Sequence, residues 1–418
     1  MSHRVGITGL GFCTSIGTGI KAVTDSLINL RSGIRRVNLV PGIEVPVKVA
    51  GVVDGFDVGS TNPLAWTFPD GIEFDRTLLR SIPPHGVYAL VAVREALDNA
   101  GLSDAEIRDG DTGLHTASSG SAMMTHHHLA RLEETDWQRA NPNGIVSSIA
   151  GTLNFNLAAH LGIRGNNCGF VSACASGSHA LGHAFDEIVL GRQKRMIVVA
   201  GEDCNAHSVL PFDGMRALST DSDPAKASRP FDVGRNGFVA AGGSVAMILE
   251  ADPSTEPVAW LGGWGQAADG HSIAAPHPEG EGLTRAMNRA IHSAGLCSQN
   301  VDYVNAHATS TIAGDKAEAL ALQNVFGNTD PGPQISSTKG LSGHGLSLSG
   351  LLEAAICALA INQSIIPGNA NLTNPDPATT GLRLPTKTSS AAVRVALNNS
   401  SGFGGSNVCH VLSSPATD

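Results

Sequence analysis

A short apolar run that breaks into glycines occurs twice in this chain, and the order of patterns behind it is the same both times. The first is Val5-Gly6-Ile7-Thr8-Gly9-Leu10-Gly11; the second is Val258-Ala259-Trp260-Leu261-Gly262-Gly263-Trp264-Gly265. The first reads as a strand over 4–11. Helical spacing follows at 20–30 and at 87–100, where Gly101 supplies a C-terminal stop, and strand-like runs follow at 113–117, 195–201 and 244–250. Behind the second come a helix over 280–294, a strand over 302–307, helices over 313–326 and 349–362, and strands over 393–398 and 407–412. Strands alternating with helices predict an α/β architecture. The restart near Pro253 and Pro257 predicts two similar halves packed together, 1–252 and 253–418. Residues 41–75 and 125–143 show no clean period and read as insertions or caps.

Composition removes several classes of function. Hydrophobic residues make up 42% of the 418 and charged residues 15%, which is too apolar for a disordered chain. With 27 Lys and Arg against 37 Asp and Glu, the net charge is −10, and aromatics are only 4%. Such a chain has neither the basic footprint nor the stacking platforms of a nucleic-acid binder. Met1-Ser2-His3-Arg4 leads into a run too polar and glycine-broken for a signal peptide. The apolar stretch 351–361 is about half a membrane span and contains Glu353. The expectation is a cytoplasmic protein with no membrane partner. Cysteines at 13, 168, 174, 204, 297, 357 and 409 form no C-x-x-C pair, which argues against a disulfide framework or a metal site.

Three motifs invite a chemical reading. Gly9-Leu10-Gly11-Phe12-Cys13-Thr14 has Thr14 where a dinucleotide fingerprint needs its third glycine, so it reads as a tight strand-to-loop turn. His126-His127-His128 cannot aim three rings at one point and reads as a surface or interface loop. Val171-Ser172-Ala173-Cys174-Ala175-Ser176-Gly177 differs from both. It places Cys174 at the start of a helix over 175–190 whose first half is nearly all small residues, which places that helix deep in the core with close packing on every side. A thiol at a helix N-terminus meets unpaired N–H groups and the positive end of the macrodipole, so Cys174 is expected to be a nucleophile of lowered pKa. Its partners must come from elsewhere in the fold. His307, in Asn305-Ala306-His307-Ala308-Thr309-Ser310-Thr311, and His344, in Lys339-Gly340-Leu341-Ser342-Gly343-His344, are the candidates. The glycine-rich 401–407 segment is a candidate source of N–H donors for an oxyanion.

Taken together, these segments resemble the β-ketoacyl-acyl carrier protein synthases, the condensing enzymes of fatty acid synthesis. The resemblance runs from the opening strand to 402–405. The run Phe212-Asp213-Gly214-Met215-Arg216-Ala217-Leu218-Ser219-Thr220 with Lys226-Ala227-Ser228-Arg229-Pro230-Phe231-Asp232 is most similar to the bacterial type I member. It implies a thiolase-like fold, five-layered αβαβα, and an acyltransferase that joins an acyl thioester to malonyl-acyl carrier protein with loss of carbon dioxide. In that implied scheme Cys174 carries the acyl group and His307 and His344 hold the malonyl thioester carbonyl. Lys339 supports the electrostatics, and Glu353, Asp315 and Glu318 match a supporting network. The resemblance makes Phe403 and Gly404 the oxyanion and gate segment, and Thr309 and Thr311 the hydroxyls that hold the phosphopantetheine arm. It makes Arg76, Arg80 and Arg139 the carrier-docking positions. It implies no cofactor beyond substrates carried on phosphopantetheine, no metal, and a homodimer whose acyl pockets abut the interface. The small residues of Ser118-Ser119-Gly120-Ser121 imply room for a medium or long acyl chain.

Departures stand beside the active-site motifs. Ala308 replaces the usual Gly after the first His. Gly345-Leu346-Ser347-Leu348-Ser349-Gly350 replaces the usual Leu-Gly-Ala-Ala-Gly after the second, and Thr77 replaces a usual Lys. A non-condensing, chain-length-setting partner and a coenzyme A-dependent thiolase-type acyltransferase are the competing readings. The intact Cys174, His307 and His344 oppose the first. Cys409-His410-Val411, which lacks a thiolase's C-x-G setting, opposes the second.

Overall fold

The computed structural model describes residues 3–415; Met1 and Ser2, part of the amino-terminal reading above, lie outside the described residues. An 11-stranded sheet runs through the molecule. Ten of its strands are β1 (Val5–Thr14), β2 (Thr112–Ala117), β3 (Asn167–Phe170), β4 (Arg195–Glu202), β5 (Gly243–Ala251), β6 (Ala259–Ala268), β7 (Tyr303–Asn305), β8 (Gln334–Ser336), β9 (Val395–Gly402) and β10 (Ser406–Ser413). A two-residue strand, Gly17–Thr18, pairs back on β1. The longer helices are α1 (Ile20–Asn29), α2 (Pro84–Ala100), α3 (Ala122–Glu134), α4 (Thr152–Leu161), α5 (Ser176–Val189), α6 (Glu281–Ser293), α7 (Ile312–Phe326) and α8 (Ser349–Gln363).

Across the sheet the order is β8-β7-β9-β10-β6-β1-β5-β4-β2-β3. Both sets of five strands therefore follow one rule: first, fifth, fourth, second, third. In both, the first–fifth and fifth–fourth pairs are antiparallel and the other two are parallel. The sets meet where β1 runs antiparallel to β6, with Val5 opposite Leu261, Gly6 opposite Trp260 and Ile7 opposite Ala259.

All ten residues of β1 are buried. A bulge between Ile7 and Gly9 inserts one residue and turns the alternation over. Val5 and Ile7 before it and Leu10 and Phe12 after it consequently enter the same central cluster. Gly9 and Gly11 lie inside this strand, not in the turn that the motif suggests. A Cβ on Gly11 would stand 1.9 Å from the Ala92 carbonyl oxygen, and one on Gly9 would stand 2.2 Å from that of Ala96. Their glycines let α2 lie directly on the strand.

Five layers result. Helix α2 covers the outer face of the first half-sheet, α5 and α8 lie between the half-sheets, and α6 and α7 cover the outer face of the second. Three apolar clusters fill the gaps, the central one built from α5, α8 and the inner faces of both half-sheets. The fold class expected from the sequence is thus present. Helix α8 and the turn before it, Leu346–Gln363, form an apolar helical segment long enough by length and composition to cross a membrane. It is longer than the half-span read from the sequence, yet 83% of it is buried inside the protein, where it serves as the core helix. Helix α5 differs from expectation too. It buries one side through Ser176, Gly177, Ser178, Ala180, Leu181, Ala184 and Ile188, while His179, His183 and Asp186 stay partly open.

His410 on β10 is fully buried and stacks on Trp264, ring centroids 6.3 Å apart. Burial, reinforced by nearby His179, pushes its pKa from 6.5 down to about 3. The folded state thus refuses a proton that the unfolded chain accepts below pH 6.5, so stability falls as the solution is acidified. Denaturant melts of the wild type and His410→Leu at pH 7 and pH 5 should show the wild type losing about 2 kcal/mol more across that interval. Parallel losses would exclude this imidazole as a source of acid sensitivity.

Candidate active site

Strand β3 ends at Phe170 and the chain turns once before α5 begins at Ser176. The Ser176 hydroxyl pins that turn, accepting the Ser172 N–H at 2.8 Å and donating to the Ala173 carbonyl at 2.6 Å. Ala173 sits at φ 52, a left-handed conformation that an L-residue holds only under constraint. Cys174 therefore stands at the tip, just before the helix. Its thiol does not have the lowered pKa expected from that position. Burial pushes it up to about 12, with the carboxylates of Glu202 and Glu353 adding to the rise and the Lys339 cation opposing it. The dense surroundings remove more solvent from the sulfur than the helix end and Lys339 replace.

The chain brings both predicted imidazoles to this tip. His344 follows a short helix, Lys339–Ser342, and donates its backbone N–H to the Val239 carbonyl at 2.7 Å. Its Nε2 lies 3.1 Å from the Cys174 Sγ. The His307 ring stands 5.4 Å from the His344 ring, nearly perpendicular at 84°. Glu318 of α7 fixes the His307 loop by accepting the N–H groups of His307 at 2.9 Å and Ala308 at 2.6 Å. Asn399 on β9 donates to the same carboxylate at 3.1 Å. Ala308 lies outside the left-handed region, so its methyl brings no strain there; Ser310 takes the positive φ, at 69.

Lys339 and Glu353, the latter on α8, form a fully buried ion pair behind these rings. Burial depresses the pKa of both imidazoles well below the usual range, and the Lys339 cation lowers them further. Both are neutral at physiological pH and can each donate one N–H. Burial also raises the Glu353 carboxyl to about 7, against the pull of Lys339. Asp315 likewise rises to about 7 through burial, against its bond from the Phe231 N–H and the Arg235 guanidinium 3.6 Å away.

Two cavities share Cys174, Phe212, Leu346 and Phe403 as walls. The first, about 430 Å3, contains both imidazoles and the hydroxyls of Thr309 and Thr311, which bond each other at 3.1 Å. The second, about 710 Å3, runs past Ser119, Gly120 and Ser121 to Glu202. Phe403, 39% exposed, lies on the wall common to both. Gly404 does not face the sulfur: its N–H is taken by the Ile273 carbonyl at 2.8 Å. The neighbouring Gly402 does the close work. A Cβ there would sit 3.2 Å from the Cys174 nitrogen and 2.8 Å from the Ser172 carbonyl oxygen, although its φ of −132 suits any residue. Gly402→Ala should therefore force the Ser172–Cys174 turn to shift and slow acyl transfer to Cys174 about 10- to 100-fold by displacing the backbone around the sulfur. Stopped-flow acylation checks this, with a thermal melt run beside it to separate a displaced turn from a failure to fold.

Arg76 and Arg80 lie exposed at the two ends of the short helix Arg76–Leu79, and Arg139 lies exposed beyond α3; none lines either cavity. The triple histidine is helical, not a loop. His126 and His128 project from α3, His126 ring to ring with His207 at 5.1 Å and His128 bonded to Ser147 at 3.1 Å. Among the described residues no His, Cys, Asp and Glu cluster is arranged to hold a metal. Sequence reasoning passed over Glu202, whose carboxylate accepts the hydroxyls of Ser119 and Ser347, and Phe238, edge-on to His344 at 5.3 Å. Glu202 ends a strand whose residues between Arg195 and itself are all apolar, the one available signal that its charge is placed for a purpose.

The chain also matches a known protein family over most of its length. Residues 2–254 match the beta-ketoacyl synthase N-terminal domain and residues 258–373 the C-terminal domain of the same family. The chain belongs to the beta-ketoacyl synthases. It is 33% identical to 3-oxoacyl-[acyl-carrier-protein] synthase 1 of Haemophilus influenzae, over 97% of both chains. It is 35% identical to the mitochondrial 3-oxoacyl-[acyl-carrier-protein] synthase of Arabidopsis thaliana, over 99% of this chain and 94% of that one. A beta-ketoacyl synthase structure from Burkholderia phymatum superposes with a TM-score of 0.89 at 29% identity, covering 99% of both chains.

Proposed function

We propose that this protein catalyses a decarboxylative Claisen condensation. An acyl thioester transfers its acyl group to the Cys174 sulfur, releasing the carrier thiol. A malonyl thioester then enters the first cavity, and its carboxylate leaves as carbon dioxide. The electron pair of the broken C–C bond passes into the thioester, placing charge on its oxygen. The N–H groups of His307 and His344 meet that charge, and Lys339 reinforces both. The carbanion attacks the acyl carbonyl, the C–S bond breaks, and a 3-oxoacyl thioester departs while the Cys174 sulfur regains a proton. This assigns the charge-stabilising work to imidazoles and an ammonium group without a metal or other cofactor.

One observation carries the reading: the 3.1 Å contact between His344 Nε2 and Cys174 Sγ, with His307 lining the same cavity. The relatives' names support an acyl carrier protein as the substrate carrier. Arg76, Arg80 and Arg139 are our docking candidates for its acidic surface. A homodimer is supported by the free edge of β3, where Asn167, Cys168 and Gly169 are exposed, and by exposed Leu129, Ile149 and Val171 at the mouth of the second cavity. A second copy covering them closes that cavity, whose volume suits a medium or long acyl chain. The test is release of labelled carbon dioxide from malonyl carrier, coupled to mass spectrometry of Cys174 with acyl donors from acetyl to palmitoyl. Absence of carbon dioxide and of 3-oxo product with every donor would refute the reading.

A further inference from the structure

We propose that Ser349 is a positioning residue that sets the tautomer of His344, holding the single ring hydrogen of the neutral imidazole on Nε2, the nitrogen that faces Cys174. Ser349 opens α8 and its Oγ lies 2.9 Å from His344 Nδ1 and 3.0 Å from the Gly345 nitrogen. A backbone N–H can only donate, so the hydroxyl oxygen accepts from Gly345. Its own hydrogen has one acceptor among the described residues, which is Nδ1. Both side chains are buried, Ser349 1% and His344 3% exposed, so solvent does not compete. An Nδ1 that accepts leaves Nε2 as the N–H.

His344 is then a donor to the sulfur 3.1 Å away rather than a base that takes its proton. The same N–H is available to a thioester oxygen entering the first cavity, which His344 also lines. His307 has no equivalent device: its buried Nδ1 has no hydrogen-bond partner. The two imidazoles are chemically unequal, one locked and one free to exchange tautomers. Ser349 belongs to the segment in which this chain departs from the family pattern, so the lock is a property of this chain's own residues.

The tautomer itself can be read by nitrogen NMR on deuterated full-length protein carrying ring-15N histidine, with His344→Gln assigning the signal. Wild type should show an unprotonated, hydrogen-bonded Nδ1 and a protonated Nε2. Ser349→Ala, which removes only the Oγ, should show the second tautomer, and Ser349→Thr should return the first. Carbon dioxide release from malonyl thioester should fall about ten-fold or more in the alanine variant and recover with threonine. This inference rests on the condensing reading only for that kinetic arm. If wild type releases no carbon dioxide, the condensing reading fails, and the NMR arm still decides the role of Ser349. A protonated Nδ1 in wild type, an alanine spectrum identical to wild type, or a threonine variant no better than alanine overturns the assignment.

Discussion

Cys174→Ala is expected to lower condensation by about 10^4-fold or more while leaving the carbon dioxide-releasing step in place. The two halves of the reaction use different atoms. Acyl transfer needs the sulfur, and no other side chain in either cavity is a comparable nucleophile at that position. Decarboxylation needs donors for a thioester oxygen, and those belong to His307 and His344, whose rings stand 5.4 Å apart in the first cavity. Removing Sγ takes a hydrogen-bond acceptor from His344 Nε2 but leaves its bond to Ser349 and the Lys339–Glu353 pair untouched. Intact-protein mass spectrometry should find no acyl adduct, and labelled malonyl thioester should still lose carbon dioxide at a measurable rate. Loss of both activities together, in a variant that melts like wild type, would show that the thiol participates in decarboxylation and would redraw the division of labour.

Lys339→Met is the second large effect, acting on stability and catalysis by separable routes. Breaking a fully buried ion pair by removing one partner costs about 3–5 kcal/mol, because the remaining charge has neither water nor counter-ion. Glu353 can escape that cost by keeping a proton. Burial already raises its pKa to about 7 with Lys339 opposing the rise, so loss of the cation moves it higher still. A carboxyl with a raised folded pKa binds a proton that the unfolded chain releases above its ordinary 4.5, so the folded state weakens as pH rises. The deficit of the variant should accordingly be small at pH 6 and open above pH 7. Adding Glu353→Leu should restore most of the stability at pH 8.5. Activity should not return with it. Lys339 is the charge that keeps both imidazoles neutral beyond what burial does, and the chief influence lowering the Cys174 pKa. We expect kcat about 100-fold below wild type in both single and double variants. A double variant that recovers full turnover would assign Lys339 a purely structural place.

Most of the fold was legible because the long, apolar strands state their own period. β1, β4, β5, β6 and β10 were found to within a few residues, and so were α6, α7 and α8. What escaped has physical reasons. β3, four residues reading NCGF, is an edge strand with little to bury, so no apolar run marks it. β8 is three residues long, too short for any period. α3 carries a polar histidine run that looks like a loop, yet Ser121 caps it and Met123 and Met124 bury its first turn. In the site, Cys174, His307, His344 and Lys339 were identifiable from motif and resemblance. The Cys174 pKa was not. A helix tip is visible in sequence, whereas the packing that desolvates a sulfur comes from β9, α8 and the loop at His344, far away along the chain. Gly402 and Ser349 escaped for the same reason, since their roles exist only across contacts between distant segments.

The strand pairing of β1 with β6 has one further consequence. The sulfur belongs to the amino-terminal portion and the imidazoles and ammonium group to the carboxy-terminal portion, so neither portion holds the complete centre alone. Condensation therefore needs both: the amino-terminal portion alone has a sulfur but none of these donors, and the carboxy-terminal portion alone has the donors but nothing to hold an acyl group. The β1–β6 seam and the central helices α5 and α8 together hold the two contributions in register.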